Sequence, residues 1–599
     1  MAVTLGILRE PEQRRFFGPG RSPVFVVALP EAEARRLIVD SGFGVGLGVY
    51  PASRDPLRFL LEVGRGAPST NDQVYENRLA RALGSFVIGD LTRGDPSTAE
   101  ALATAFQTQP LGTPGIPGAT ELRVYALRTA KEASVVARSG VGVIFGIGDR
   151  TPVLVGISSG FDTPGRLGLL SESITRRPGI VTPYDVAATI LDLAYRPIPE
   201  GIAGNRLRSH GPVMLEKIDA LAARLERDDS YAPGLAAVTV GLGVITIFLS
   251  YGLMRLGRRE AALRVAQGAV LVLPGWVVAI FVPTGRWYLR ALVVIAAALL
   301  GASMRPRVPL STMARVGLGS AIGFGVLAAM APLNPGGEPG LSIWGNPLVS
   351  WRFFGLQNVE AAIIASGIVI WGTVAGLTAP LLAAISVAAA VVTGAPTIGA
   401  NFVGVLTFVF GAAAVTIALA RRRTNLGHVV IAGVMSVAAF ALALLADAGS
   451  PVSHGGRAAR KISDGGFSAA WDLVEGRLKL NWELIRDFTG GVLWVIGLAI
   501  SLAMLIRWGL DAERGPFRGR VAVLGGALMA AASLVLEDSG FYSGAVLWFV
   551  AANAWLLLRL TQPGLGVIPP ESDAPLAGVG AGTKLPQPGE ARRSRSSRD

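Results

Sequence analysis

From Pro233 to Leu560 the chain is a train of apolar runs, each about the length a helix rising ~1.5 Å per residue needs to cross ~30 Å of hydrocarbon. Eleven such runs begin near positions 233, 265, 286, 315, 359, 377, 402, 427, 490, 520 and 541. Ahead of them the apolar runs are short. Pro23 to Leu29, Ser85 to Ile88, Val141 to Ile147 and Pro152 to Ile157 are rich in β-branched residues and bounded by Gly, Pro or Asp, which predicts buried strands. Helical patterns lie between them, at Asn71 to Leu83 and Ser97 to Phe106, the second opened by the start signal Asp95, Pro96, Ser97. Alternating strands and helices predict a parallel α/β sheet covered on both faces. Residues 1–231 are therefore expected to form a soluble α/β domain and 232–560 a helical membrane bundle of about eleven spans, joined by an amphipathic, charged connector from Pro212 to Asp229.

Composition agrees with this division. The 599 residues are 51% hydrophobic and 16% charged, with mean hydropathy +0.49, too apolar for an ordinary soluble protein. A net charge of +13 raises the question of nucleic acid, but the arginines cluster between spans. They fall after the first span (Arg255, Arg258, Arg259, Arg264), the third (Arg305, Arg307, Arg315), the seventh (Arg421, Arg422, Arg423) and the ninth (Arg507, Arg514, Arg518, Arg520). A last group, Arg592, Arg593, Arg595 and Arg598, lies in the tail. There they set topology and meet anionic lipid, and no nucleic-acid partner is expected. The positive-inside rule makes these loops cytoplasmic, so an odd number of spans places the soluble domain outside a plasma membrane and the Gly-, Pro-, Ser- and Arg-rich tail 561–599 inside, disordered. Met1 to Glu10 carries no apolar core, so this orientation calls for a signal anchor upstream; the inverted orientation is the alternative, and the basic clusters favour the first. No cysteine is present, which excludes disulfides and thiolate chemistry, and only His210, His428 and His454 supply imidazoles.

The stretch Thr151 to Leu207 resembles the C-terminal core of the alkaline phosphatase superfamily, through Arg177, Pro178, Gly179, Asp185, Thr189, Ile190, Leu191, Pro199, Gly201, Gly204 and Leu207. The resemblance implies an α/β phosphatase-like fold. Active members hold two metal ions with several Asp and His ligands, and a two-metal site needs such a dense shell. This domain has one histidine, His210, beyond the matching segment, so the expectation is a degenerate, metal-free domain that hydrolyses no phosphate or sulfate ester. Read on its own, Asp185 to Leu193 is a helix with an acidic first turn and Ile190 and Leu193 on its buried side. The order of parts, an outer phosphatase-like domain before many spans, is similar to that of the GPI ethanolamine phosphate transferases.

Three loops on the outer side carry the candidate chemistry. In 334–358, Arg352 stands among Trp351, Phe353 and Phe354, and Asn358 and Glu360 follow at the mouth of a span. A guanidinium beside aromatic rings suits a lipid-linked phosphate or a sugar, or else an interfacial aromatic belt with a snorkelling arginine. The loop 394–401, GAPTIGAN, ends in Asn401; its small residues permit a re-entrant segment or an ordinary tight turn. The loop 447–488 brings His454 and Arg457 together as a base and anion clamp, or as solvated loop residues, and continues into an amphipathic helix with Trp471, Val474, Leu478, Trp482 and Ile485 at helical spacing. Asp538, beside Glu537 in the last outer turn, completes the set. RFFGLQN and the later SHGGR faintly resemble O-antigen ligase and polymerase proteins.

The leading expectation is an envelope membrane protein working outside on a lipid-linked or anionic glycan or lipid, transferring a glycosyl or phosphoryl group without metal or other cofactor. Catalysis then falls to His454 and Arg457, and substrate binding to Arg352, Asn358, Glu360, Asn401 and Asp538. A lipid or glycan flippase is the runner-up. A scaffold whose pseudoenzyme ectodomain recruits envelope-biosynthesis proteins is the third reading. No GxxxxGK[ST] motif is present, which argues against ATP-driven transport by this chain alone.

Overall fold

The computed structural model describes residues 24–41, 44–48, 56–65, 87–90, 95–106, 109–110, 122–137, 141–148, 152–157, 169–171, 179–194, 196, 198–199, 202, 204–210, 215–280, 282, 286–305, 308–330, 356–395, 398–448, 454–487, 491–511, 515–537 and 540–561. The helical pattern at Asn71 to Leu83, the tail 562–599, Arg352 and Asp538 lie outside them.

In the first part, strands β1 (Val24–Pro30), β2 (Gly44–Gly48), β3 (Val87–Asp90), β4 (Gln109–Pro110), β5 (Leu122–Ala126), β6 (Val141–Ile147), β7 (Val153–Ile157), β8 (Leu169–Ser171), β9 (Ile180–Val181) and β10 (Arg208–His210) form one sheet. Its order is β10-β8-β2-β7-β6-β1-β5-β3-β4, with β9 paired to β2. Side chains alternate across a strand. Val24, Val26 and Ala28 accordingly pack into one core, and Phe25, Val27 and Leu29 into a second on the opposite face. Helices α2 (Pro56–Arg65), α3 (Pro96–Phe106) and α5 (Pro183–Leu193) contribute to the first core, and α1 (Glu31–Ser41) and α4 (Ala130–Ala137) to the second.

Both faces are covered as expected, but the sheet is mixed. β1, β3, β4, β5 and β6 pair in parallel, whereas β6–β7, β2–β7 and β8–β10 pair antiparallel. Chain length reverses β7: five residues separate β6 from β7, and a parallel pair needs a crossover of about a dozen or more. The start signal at Asp95 is used, since its carboxylate accepts from the Thr98 N–H at 3.0 Å and from the Ser97 hydroxyl. The Ser97 and Thr98 bonds hold the Asp95 carboxyl below its ordinary value.

The connector is continuous with the first apolar segment. Helix α6 (Leu215–Arg255) runs 41 residues, about 60 Å. Its first turns belong to the sheet domain, with Ile218 and Leu225 in the second core and Asp219 paired to Arg35 at 2.6 Å, while Ala237–Arg255 is apolar enough to cross a membrane.

Beyond it come α7 (Arg259–Val270), α8 (Val272–Ile280), α9 (Trp287–Ser303), α10 (Leu310–Met330), α11 (Asn358–Val374, with a π-helical segment at Gly367–Trp371), α12 (Ala379–Gly394), α13 (Phe402–Arg421) and α14 (Leu426–Asp447). The last four are α15 (His454–Asp487), α16 (Gly491–Leu510), α17 (Phe517–Leu536) and α18 (Gly540–Thr561). Eight helices among the described residues are long and apolar enough to span, and α9, α11 and α12 are shorter apolar helices. Several expected loop residues are helical: Arg264 lies in α7, Arg315 in α10, Arg518 and Arg520 in α17.

The helices of the centre meet at small residues. A Cβ on Gly411 would meet Met529, and one on Gly525 would meet Val415, each closer than 2.5 Å. That contact lets α13 and α17 approach closely, as small residues do between membrane helices. The pairing 411 with 529 and 415 with 525 is antiparallel, so the start of α13 stands level with the end of α17.

Candidate functional site

The antiparallel register of α13 and α17 brings two buried polar clusters to one end of the bundle. The first is built on the break between Leu356 and the start of α11 and on the turn 395–401. Its described residues close onto the end of α12: Ala400 N–H donates to Ala395 O (2.9 Å) and Asn401 N–H to Thr393 O (2.8 Å). Ala400 takes a positive φ of 47°, which disfavours any side chain bearing a Cβ. Asn401, with no exposure, holds this turn against α11. Its amide donates to Leu356 O (3.2 Å) and to Asn358 Oδ1 (3.0 Å), and its Oδ1 accepts from Gly404 N–H (2.8 Å), capping α13. Leu356 N–H adds a backbone bond to Gly399 O at 2.8 Å. Glu360, 2% exposed, accepts the Gln357 N–H at 2.9 Å in a capping box at the start of α11.

The second cluster joins the end of α17 to the start of α18. Ser543 donates to Glu537 Oε2 at 2.6 Å, and Ser533 and Ser543 share a hydroxyl contact of 2.6 Å. Glu537 is 2% exposed and both serines are fully buried. Asn481 of α15 reaches the same corner, donating to Leu534 O (2.6 Å) and accepting from Phe541 N–H (3.2 Å). α11 packs against α18 and α13, so the two clusters sit on neighbouring helices. Buried polar groups in a membrane bundle are retained where they have partners.

Of the residues singled out from sequence, the structure brings Asn358, Glu360 and Asn401 together. Asn401 and Asn358 bond each other, so part of their hydrogen-bonding capacity serves the fold. His454 and Arg457 stand in the first turn of α15, a helix where a loop was expected, and their side chains fall outside the described residues, as do Arg352 and Asp538 altogether. Three participants were missed: Asn481, Ser533 and Ser543. Asn481 carried a signal, since it lies three residues after Leu478 and four before Ile485; the serines are single polar residues in apolar runs and carried none.

The α15 segment also turns out differently from its apolar pattern. Gly466, at φ 61°, divides it into two helices. In the second, Ala469, Asn481 and Ile485 are buried against the bundle, while Trp471 and Trp482 are each 55% exposed and Leu478 is exposed too.

In the sheet domain, Asp185, Thr189, Gly204 and Leu207, four of the residues behind the phosphatase resemblance, belong to a clasp. Asp185 accepts from Thr182 N–H (2.9 Å), from the Thr182 hydroxyl (2.7 Å) and from Asn205 N–H (2.9 Å). Thr189 donates to Asp185 O (2.7 Å) and accepts from Leu207 N–H (2.9 Å). Gly204 lies so close that a Cβ there would strike Tyr184 O. Each of these residues has a structural role in tying α5 to the segment 204–207. Among the described residues no three His, Asp or Glu side chains converge as a metal site would require. No family model matches the chain, and neither a curated protein nor a solved structure matches it.

Proposed function

We propose that this chain is a multi-pass protein of the cell envelope that acts, at the polar end of its bundle, on a lipid-linked or anionic glycan or lipid. The reaction is transfer of a glycosyl or phosphoryl group. One observation carries the reading: two buried carboxylates, Glu360 and Glu537, with Asn358, Asn401, Ser533 and Ser543, gather where neighbouring apolar helices begin and end. A lipid-borne headgroup is presented at that depth, and a carboxylate held by a capping box is a positioned proton acceptor.

In this reading Arg352 pairs the anionic group of the substrate and Glu360 receives the proton of the acceptor hydroxyl, with His454 or Arg457 assisting. As that proton leaves, the acceptor oxygen bonds to the transferred carbon or phosphorus, and the lipid phosphate departs with the bonding pair. We place the polar end and the soluble domain outside the membrane, and the soluble domain binds or positions without hydrolysing.

The test is complementation of a deletion strain, with protein levels and the lipid extract measured together. Arg352→Lys should fail nearly as fully as Arg352→Ala, because lysine keeps the charge and loses the bidentate fork. Glu360→Gln should accumulate the lipid-linked substrate at normal protein level. Full function of Arg352→Ala removes the anion site. Full function of both Glu360→Gln and His454→Ala, with Arg352→Ala inactive, replaces transfer by carriage of the same lipid.

A further inference from the structure

A shallow cleft lies below the polar end, lined by α7, α8, α10, α11 and α18. Its depth follows from position along the helices: Ser320 is near the middle of α10 and Val550 near the middle of α18. Half-buried Leu273, Val277 and Ser320 form its mouth, and buried Ile363, Phe549 and Val550 its back wall. The mouth opens on an apolar surface, since the neighbouring Val278 and Ile322 are exposed. At mid-bilayer depth such an opening faces acyl chains.

The lining is mostly apolar, and its polar side chains are bonded to backbone. Ser320 donates to Val316 O (2.9 Å) and Ser366 to Ile363 O (3.1 Å). Asn553, with its amide oriented to satisfy both ends, donates to Ala266 O (3.1 Å) and accepts from Val270 N–H (3.3 Å), both in the last turn of α7. With those groups spent on backbone, the walls offer an occupant dispersion contacts, which suits hydrocarbon and not a headgroup or an ion. The π-helical segment from Gly367 to Trp371 forms part of the wall, and such segments occur often at functional sites.

Glu360, Ile363 and Gly367 stand at i, i+3 and i+7 of one helix and so share a face. The carboxylate therefore tops the same wall that lines the cleft, and Ser366 lies about 9 Å below it. We propose that the cleft takes the hydrocarbon tail of the lipid whose headgroup is handled at the polar end. The inference rests on the lipid-linked reading above and adds the seat of the tail.

The test uses the full chain in vesicles of phosphatidylethanolamine and phosphatidylglycerol containing a phosphatidylglycerol with a mid-chain diazirine. After irradiation, labelled peptides are mapped. Wild type should carry label on the back wall, on the peptides holding Ile363 and Phe549, which bulk lipid does not touch. Ser320→Trp places a ring in the mouth and should lower that label about tenfold, the equivalent of about 1.4 kcal/mol. Label on the lipid-facing helix Leu426–Asp447 should stay unchanged in both and serves as the reference. Absence of back-wall label in wild type, or label unaffected by Ser320→Trp, overturns the tail site. Complementation by Glu360→Gln reports separately on the headgroup chemistry, so either claim can fail while the other stands.

Discussion

Asn401 shows at the scale of a single side chain what the sequence could and could not convey. Its place after a run of small residues marked it, with Asn358 and Glu360, as a candidate for substrate contact. Its bonds to Leu356 O, Asn358 and Gly404 N–H instead give it the work of holding the turn that begins α13 against the turn that begins α11. Polarity in an apolar chain is legible; the partner is not, because residues 358 and 401 meet only through the folded register. Ser533 and Ser543 were illegible for a related reason, since a lone serine can satisfy itself on its own helix as Ser320 does. Asn401→Ala removes a helix cap and two further buried hydrogen bonds, and should destabilise the protein by about 2 kcal/mol. Thermal unfolding in detergent, followed by loss of soluble monomer, measures this; a midpoint equal to wild type would refute the clasp. Glu360→Gln, which keeps shape, should unfold near the wild-type midpoint, separating a site residue from an architectural one.

Helix α15 is the element in which pattern and packing diverge most. The spacing of Trp471, Val474, Leu478, Trp482 and Ile485 declared an amphipathic helix, and a helix forms. Which face it buries did not follow, because beside a bilayer the solvent is itself apolar and exposed tryptophans are stable at its interface. The structure buries Ala469, Asn481 and Ile485 and leaves Trp471 and Trp482 outward. The mixed sheet is a different case: the link of five residues from β6 to β7 is readable in the sequence and too short for a parallel pair. Asn481 bonds α15 to the α17–α18 corner, through Leu534 O and Phe541 N–H. Asn481→Leu should release the 467–487 helix, at a cost of about 1–3 kcal/mol for the two groups left without partners. Hydrogen exchange in that segment should then rise while exchange in α13 stays as in wild type. Unchanged protection of 467–487 would mean that its apolar contacts alone hold it.

On the scale of the whole molecule, the change from a sheet-forming first part to a helical second part was written in run length, because the bilayer sets the length of a spanning helix and a sheet does not need it. Among the described residues eight helical stretches meet the length and composition for crossing, α7 and α8 together forming one of them, and α9, α11 and α12 are shorter, α12 with 16 residues covering only about 24 Å. The count of eleven crossings and the direction of the bundle remain the proposal made from the arginine clusters. Direction matters most, since the polar end acts on an external substrate only if Asn401 and Glu537 face outward. The chain has no cysteine, so a single introduced thiol reports its own side without background. Ser468 and Arg423 are both exposed and lie toward opposite ends of the bundle in the proposed topology. Intact cells expressing Ser468→Cys or Arg423→Cys are treated with a membrane-impermeant maleimide, before and after permeabilisation. The account predicts that Ser468→Cys is labelled on intact cells and Arg423→Cys only once the membrane is opened; the reverse pattern at both positions would contradict it.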